Sequence, residues 1–191
     1  MHAAQRAAAD PALHHYGPAA GLPCLREAIA HAATAAGVPT DVEQVQVTLG
    51  AKHALFTALA GLTTPGDEVL VVTPGWPGHT EVVTAARATP VQVATTSATG
   101  FHLTPELLER HHSPRTRALI LANPGNPTGV LHNDHDLHAI ADWCAANSVH
   151  LIADEVYSQL TFDQAHVPAA AAAPEHRANI TTIGAVSKPT P

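Results

Sequence analysis

Five short clusters of polar, glycine and aromatic residues in this sequence could do chemistry. Each comes directly after a predicted strand, and ligands of an open parallel sheet bind at the carboxyl ends of its strands. If these strands run parallel, all five clusters lie along one edge of the sheet and together describe one binding site. The clusters are Gly50-Ala51-Lys52, Pro74-Gly75-Trp76-Pro77, the NPGNPTG run at 123–129, the DEVY run at 154–157, and Ser187-Lys188.

The first two clusters each allow a structural and a functional interpretation. A glycine before a helix, such as Gly50, is often only a turn residue. The backbone amides of Ala51 and Lys52 could instead bind a phosphate, because the start of a helix favours negative charge. Trp76 is either a packing residue or an aromatic surface that stacks on a planar heteroaromatic ring.

The three later clusters are equally ambiguous when each is taken alone. Asn126 lies in a Pro/Gly-rich stretch and is either a turn former or an amide that bonds to a phenolic oxygen. Asp154 at a strand end can cap the next helix, and Tyr157 three residues later falls on the same side of a helical turn. Lys188 by itself would be taken for a surface lysine.

Short apolar strands alternate with helical patterns along the chain. This rhythm predicts βαβ units, and therefore an α/β fold with a mainly parallel sheet and flanking helices. We find no internal repeat and no linker, so the 191 residues are interpreted as one domain or as one large piece of a bigger domain. Helices are predicted at 25–36, 51–62, 80–87, from Thr104 onwards and at 137–145; strands at 45–49, 68–73, 91–93, 118–122, 149–153 and 180–185; and a loop or poor helix at 167–174.

Composition excludes several classes of protein. The net charge is −7 and no Lys/Arg stripe is present, which argues against a nucleic acid or an anionic membrane as partner. No run of 18 apolar residues occurs, and the N-terminus leads into no apolar signal region. Two cysteines, Cys24 and Cys144, are too few for a disulfide framework. A cytoplasmic protein without membrane segments is therefore expected.

Fifteen histidines raise the question of a metal site. His132, His135 and His138 are spaced by three, and His111 is adjacent to His112. A zinc site, however, needs ligands that converge from a rigid frame and are held by further hydrogen bonds. We interpret these residues as a histidine-rich solvated surface and predict no metal site.

Six strings of the sequence, taken in order, resemble the class I/II aminotransferases of the aspartate-aminotransferase fold. The resemblance extends from about Tyr16 to Lys188, and its most specific parts are the NPGNPTG and DEVY runs. It implies a pyridoxal-phosphate (PLP) enzyme. The strings are YGPAAG at 16–21 leading to Leu25-Arg26, VTLGAK at 47–52, PGDEV at 65–69, NPGNPTG at 123–129, DEVY at 154–157, and Ser187-Lys188.

The resemblance implies a role for each matching residue around the PLP ring. Lys188 resembles the lysine that forms the internal aldimine with PLP, and burial or nearby cations readily lower a lysine pKa for this purpose. Asp154 resembles the carboxylate that faces the pyridine nitrogen and makes the ring an electron sink. Asn126 and Tyr157 match the pair that bonds to the phenolate oxygen, and Trp76 matches the aromatic residue stacked on the ring.

The resemblance also implies a phosphate site, a dimer and a reaction. Gly50, Ala51 and Lys52 match the phosphate-binding turn, and Tyr16 matches a tyrosine that reaches the phosphate in the neighbouring subunit of a homodimer. The implied enzyme moves an amino group between an amino acid and a 2-oxo acid. Lys188, once displaced by the substrate, would move the Cα proton as general base and acid.

The sequence departs from the family pattern in several places. Ala185 replaces a serine that binds phosphate in many members, and a longer N-terminal arm, a Gly-x-Arg stretch and a small C-terminal domain have no counterpart. We therefore expect residues 1–191 to be a PLP-binding large domain that is incomplete at both ends and truncated after the lysine. The alternatives are a PLP-dependent lyase, decarboxylase or cyclase, and a non-catalytic remnant.

Overall fold

The computed structural model describes residues 2–188, which divide into two structural units. The first unit contains the residues up to Ala35 together with Pro39–Thr48. The second contains Ala36–Val38 and the residues from Leu49 onwards. None of the helices among residues 2–188 is long and apolar enough to span a lipid bilayer.

The first unit is mainly helical, and one of its arginines makes two hydrogen bonds to the backbone of a later segment. Arg26 donates from Nε to the backbone oxygen of Val45 at 3.0 Å and from Nη2 to that of Val42 at 2.6 Å. These bonds join the second helix to the segment that follows it. The unit consists of α1 (His2–Ala9), α2 (Pro23–Ala35) and two 3₁₀ helices (Pro11–His14 and Val42–Gln44).

The strand predicted at residues 45–49 is wrong. The backbone at Val45 is extended, but the segment pairs with no strand among residues 2–188. The amide of Val47 instead donates to the carbonyl oxygen of Ala20 at 2.9 Å. Alternating apolar residues indicate an extended chain, whereas a strand also requires a neighbour that completes the hydrogen-bond ladder.

The second unit is built on a five-stranded sheet whose strand pairs are all parallel, which confirms the predicted α/β class. The strand order is β2-β1-β3-β4-β5. Its strands are β1 (Glu68–Thr73), β2 (Thr89–Ala94), β3 (Thr116–Ala122), β4 (His150–Asp154) and β5 (Ile180–Ile183). Its α-helices are α3 (Ala51–Leu62), α4 (Pro77–Ala85), α5 (Pro105–Glu109), α6 (Asp134–Ala146) and α7 (Ala169–Ala172). It also contains two 3₁₀ helices, Ser97–Thr99 and Pro174–Asn179.

Helices cover both faces of this sheet because successive strand residues point to opposite sides. On β1, Leu70 belongs to the buried cluster that also contains Leu137 of α6. Its neighbour Val69 belongs to a second buried cluster, together with Leu55 of α3. Strands buried on both faces explain the nearly continuous apolar runs in the sequence.

Most element boundaries agree with the sequence-based predictions. Helix α3 and strand β1 have the predicted bounds, and Thr104 caps α5 by accepting from the amide of Leu107. Helix α4 begins at Pro77, three residues before its predicted start, and β5 ends at Ile183 instead of 185. The alanine-rich segment predicted as a loop or poor helix contains the single turn α7.

Candidate active site

The carboxyl ends of the parallel strands bring four of the five sequence clusters to one edge of the sheet. Trp76 follows β1, Asn126 follows β3, Asp154 ends β4 and Lys188 follows β5. This is the edge at which open parallel sheets bind ligands. The Gly50 cluster is the exception to the strand argument, because the strand predicted before it does not form.

A buried pair between Asp154 and His79 lies at this edge. The distance between His79 Nε2 and Asp154 Oδ2 is 2.8 Å, and the two residues are 2% and 5% exposed. The other carboxylate oxygen, Asp154 Oδ1, is buried and has no hydrogen-bond partner within residues 2–188. Buried polar atoms are nearly always bonded, so this oxygen marks a position suited to a ligand that donates a proton.

Trp76 packs beside this pair. Its ring contacts the His79 ring edge-on, with centroids 5.4 Å apart. A Cβ atom at Gly78 would come within 2.4 Å of the indole, so this position of Trp76 depends on glycine at residue 78. Lys52 Nζ lies 5.0 Å from the indole centroid and forms an exposed ion pair with Glu81 at 3.1 Å. Stacking of Trp76 on a cofactor ring stays a prediction.

Asn126, Tyr157 and Lys188 form a second group at the same edge. Asn126 Nδ2 donates to Tyr157 Oη at 3.4 Å. At this separation both the amide and the hydroxyl could also donate to one shared acceptor. Lys188 Nζ lies 5.7 Å from the centroid of the Tyr157 ring, and the lysine is exposed. The fold thus brings together three predicted site residues that lie as far as 62 positions apart in sequence, from Asn126 to Lys188.

The predicted phosphate turn has the local geometry of an anion site. Gly50 precedes α3 with φ +85°, in the left-handed region that favours glycine. Ala51 and Lys52 are the first two residues of α3, and the leading amides of a helix have no acceptor within it. Tyr16 belongs to the first unit, where its side chain is fully exposed. Phosphate binding by these residues stays a prediction.

Two cavities border the site residues. A small one of about 20 Å³ is lined by His79, Asn126 and Gly75 among others. A groove of about 480 Å³ is bounded by Asn126, Tyr157 and residues 160–164, among others. The volume of this groove falls within the range of roughly 300–1,000 Å³ that is usual for small-molecule sites.

The interpretation of the histidines as a solvated surface is wrong for His132. This residue is 2% exposed, and its Nε2 accepts from the amide of Leu103 at 3.0 Å. Burial lowers the pKa of His132 to about 4, helped by the nearby His102. The imidazole is therefore neutral at pH 7 and is a structural acceptor. His135, in contrast, is 94% exposed.

Sequence reasoning missed the roles of His79 and Glu155. His79 lies three residues after Trp76, on the first turn of the helix that leaves the same sheet edge. This position was the only available signal. Glu155 is buried and accepts from the amide of Ala169 at 2.8 Å. Burial raises the pKa of Glu155 to about 7 although this hydrogen bond opposes the shift, and the Asp154 carboxylate adds to the increase.

The polar groups at this edge fit PLP, the cofactor that the resemblance implies. The unpaired Oδ1 of Asp154 suits a protonated ring nitrogen, because a buried carboxylate needs a positively charged or donating partner. The Asn126 amide and the Tyr157 hydroxyl suit an anionic ring oxygen. The start of α3 suits a phosphate, and Lys188 supplies an amine near Tyr157.

Comparison with known proteins identifies the family. The profile of the family described as "Aminotransferase class I and II" matches residues 1–189. The chain is 40% identical over 171 residues to a probable aspartate/prephenate aminotransferase of Thermus aquaticus. The aligned residues make up 89% of this chain and 44% of that protein.

Solved aminotransferase structures share the fold. The N-succinyldiaminopimelate aminotransferase of Mycobacterium tuberculosis matches with a TM-score of 0.90 and 38% identity. The aspartate aminotransferase of Thermus thermophilus with maleate matches with a TM-score of 0.89 and 35% identity. Each match covers 98% of this chain and 49% of the solved chain, so the chain spans about half the length of these relatives. The chain belongs to the class I and II aminotransferases, a family of PLP-dependent enzymes.

Proposed function

We propose that this chain is the cofactor-binding part of an aminotransferase that moves an amino group between an amino acid and a 2-oxo acid. Lys188 is the residue that carries PLP and moves the substrate proton. The observation that supports this proposal most strongly is the buried Asp154 carboxylate, with one oxygen bonded to His79 and the other without a partner within residues 2–188. A buried carboxylate in this state is suited to hold a proton on a heteroaromatic nitrogen.

Two pairs of side chains, His79 with Asp154 and Asn126 with Tyr157, would orient the cofactor. PLP, when bound, supplies an electron sink for reactions at the substrate Cα. The His79 ring keeps the Asp154 carboxylate in place, so that Oδ1 can accept from the ring nitrogen and favour its protonated form. Asn126 Nδ2 and Tyr157 Oη would donate to the ring oxygen, and their mutual contact already sets their separation.

Lys188 Nζ would act as the proton carrier. A lysine must be deprotonated to serve as a nucleophile or a base. Lys188 Nζ lies 5.7 Å from the centroid of the Tyr157 ring, which places the amine beside the Asn126–Tyr157 pair. The free amine of Lys188 would remove the proton from the substrate Cα as a general base and would then give that proton up as a general acid, away from Cα.

The assembly and cell compartment are part of the same proposal. Enzymes of this class are expected to form homodimers, and Tyr16, fully exposed in the first unit, would reach the phosphate bound by the neighbouring subunit. The cytoplasm is the proposed compartment because Cys24 and Cys144 are free thiols. Light scattering of the purified chain should give twice the monomer mass of 19.8 kDa.

The number of lysines makes a decisive test possible. Lys52 and Lys188 are the only two lysines in the sequence. The purified chain is mixed with PLP, reduced with borohydride and digested, and the peptides are analysed by mass spectrometry. We expect the phosphopyridoxyl group on Lys188, and we expect Lys188→Ala to abolish it while Lys52→Ala, the matched control, retains it.

The outcome separates the proposal from its alternatives. A folded chain that carries no adduct, or carries it only on Lys52, would contradict the proposal and favour a non-catalytic remnant. Incubation with aspartate and 2-oxoglutarate should yield glutamate if the chain transfers amino groups; aspartate is chosen because several relatives are named aspartate aminotransferases. Release of ammonia or CO₂ without glutamate would instead indicate a lyase or decarboxylase.

A further inference from the structure

A cluster of histidine and carboxylate side chains lies outside the candidate active site, between α6 and the 3₁₀ helix Pro174–Asn179. His138 and Asp142 are four residues apart on α6 and therefore share one face of the helix. Their Nδ1 and Oδ2 atoms are 3.2 Å apart. Glu175, from the second element, brings Oε1 to 2.7 Å from Nε2 of His138.

A fourth side chain holds this cluster in place. His176 Nε2 lies 2.6 Å from Asp142 Oδ1, so the oxygen of Asp142 that faces away from His138 is also bonded. The cluster thus contains an imidazole and two carboxylates that are anchored from two elements.

We propose that His138, Asp142 and Glu175 bind a divalent transition-metal ion of the zinc type. Each residue offers one ligand atom, and the three atoms lie within 4.8 Å of one another. Tetrahedral zinc with bonds of about 2.0–2.2 Å holds its ligand atoms roughly 3.3–3.6 Å apart. Asp142 and Glu175 bond to different ring nitrogens of His138, so one of these carboxylates would rotate towards the nitrogen that binds the ion. These three residues are partly exposed and can make such rotations.

His176 would act as an orienting residue for the metal ligand Asp142. Ligating carboxylates are commonly held by a further hydrogen bond, as Asp142 Oδ1 is here. This site differs from the run of His132, His135 and His138 considered in the sequence, of which only His138 takes part. The proposal also departs from the expectation that the chain has no metal site.

The proposed ion would link and stabilise the two elements that precede strands β4 and β5, which lead to the candidate active-site residues Asp154 and Lys188. Helix α6 leads into β4, which ends at Asp154, and the 3₁₀ helix leads directly into β5, which precedes Lys188. An ion that binds only the folded chain stabilises it by mass action. Binding should therefore be visible as a rise in the melting temperature.

Zinc titration of the full chain, prepared without an affinity tag and dialysed against chelator, tests the site. We expect one Zn²⁺ per chain and, at a hundredfold excess over the dissociation constant, a Tm increase of about 5 °C or more. Mg²⁺ should give no increase, because it prefers all-oxygen sites that retain water. His138→Ala should weaken Zn²⁺ binding at least about tenfold.

The matched control is His135→Ala. His135 is on the same helix and is 94% exposed, so it tests for unspecific binding by surface imidazoles. This variant should bind Zn²⁺ like the wild type. Asp142→Asn is a second ligand variant that keeps an acceptor for His176, and it should also weaken binding. Equal affinity in wild type, His138→Ala and Asp142→Asn, or equal loss in His135→Ala, would overturn the proposal.

Discussion

His79 Nε2 on α4 and Asp154 Oδ2 on β4 form a buried hydrogen bond of 2.8 Å between residues that are 75 positions apart in the sequence. The bond connects the helix that follows β1 with the end of β4, and β3 lies between these two strands in the sheet. It leaves one oxygen of Asp154 without a partner within residues 2–188. The pair therefore links α4 to the end of β4, and Oδ1 is the acceptor that the proposed cofactor would use.

Removing one partner of this pair should be costly. We expect His79→Leu to lower the free energy of unfolding by about 3 kcal/mol at pH 7, because it leaves a buried carboxylate without its partner. The double variant His79→Leu/Asp154→Leu should recover much of this loss, since an apolar pair avoids the uncompensated charge. Urea unfolding measures both. A double variant that is less stable than the single one would contradict this account.

The close contact between Gly78 and Trp76 predicts a steric effect. A Cβ at residue 78 would come within 2.4 Å of the indole ring. Gly78→Ala should therefore lower the free energy of unfolding by about 1–3 kcal/mol, as overpacking does, and should change the near-ultraviolet circular dichroism. Gly61→Ala on α3 is the control, because nothing lies within 4 Å of its added Cβ. This variant should be more stable by about 0.5 kcal/mol. Similar results for both variants would exclude the steric explanation.

Because the pKa of Glu155 is raised, we expect the protein to lose stability as the pH rises. Burial raises its pKa to about 7 from an ordinary value near 4.5. Its contribution to stability is therefore fully present below about pH 4.5 and is lost as the pH rises through about 7, on the order of 3 kcal/mol in total. Glu155→Gln keeps an acceptor for the Ala169 amide but cannot ionise. Its stability relative to wild type should increase between pH 4.5 and 8, and a constant difference would contradict the prediction.

Because the pKa of His132 is lowered, we expect this residue to make the protein lose stability as the pH falls. Burial lowers its pKa to about 4 from an ordinary value near 6.5. Its contribution is therefore present above about pH 6.5 and is lost as the pH falls towards 4, again on the order of 3 kcal/mol. His132→Gln, which does not titrate, should lose its disadvantage relative to wild type over this range. His135→Gln is the control for an exposed histidine, and an equal change in that variant would contradict the assignment to His132.

Local pattern was sufficient to predict most of the elements. The helix at Ala51–Leu62 and the strand at Glu68–Thr73 were predicted with their observed bounds. Glycine and proline at the boundaries, and apolar residues buried on both faces of the strands, made these assignments strong. Residues 45–49 show where pattern failed. Their alternation describes an extended chain, but only the folded structure reveals that no strand lies beside them within residues 2–188.

The order of motifs along the chain was sufficient to predict the family. The NPGNPTG and DEVY runs and Lys188 can be recognised from neighbouring residues alone, so they are visible directly in the sequence. Parallel strands then place their ends at one edge, as observed for Trp76, Asn126 and Asp154. The amide of Asn126 and the hydroxyl of Tyr157 indeed lie within hydrogen-bonding distance.

The sequence by itself thus determined the parallel α/β fold and the motifs that follow strands β1, β3, β4 and β5. Only the tertiary structure decided which side chains are buried and which distant groups face one another. The bond between His79 and Asp154, the raised pKa of Glu155 and the lowered pKa of His132 all depend on burial. Burial depends on contacts between distant segments, whereas periodicity and motifs describe only neighbours along the chain.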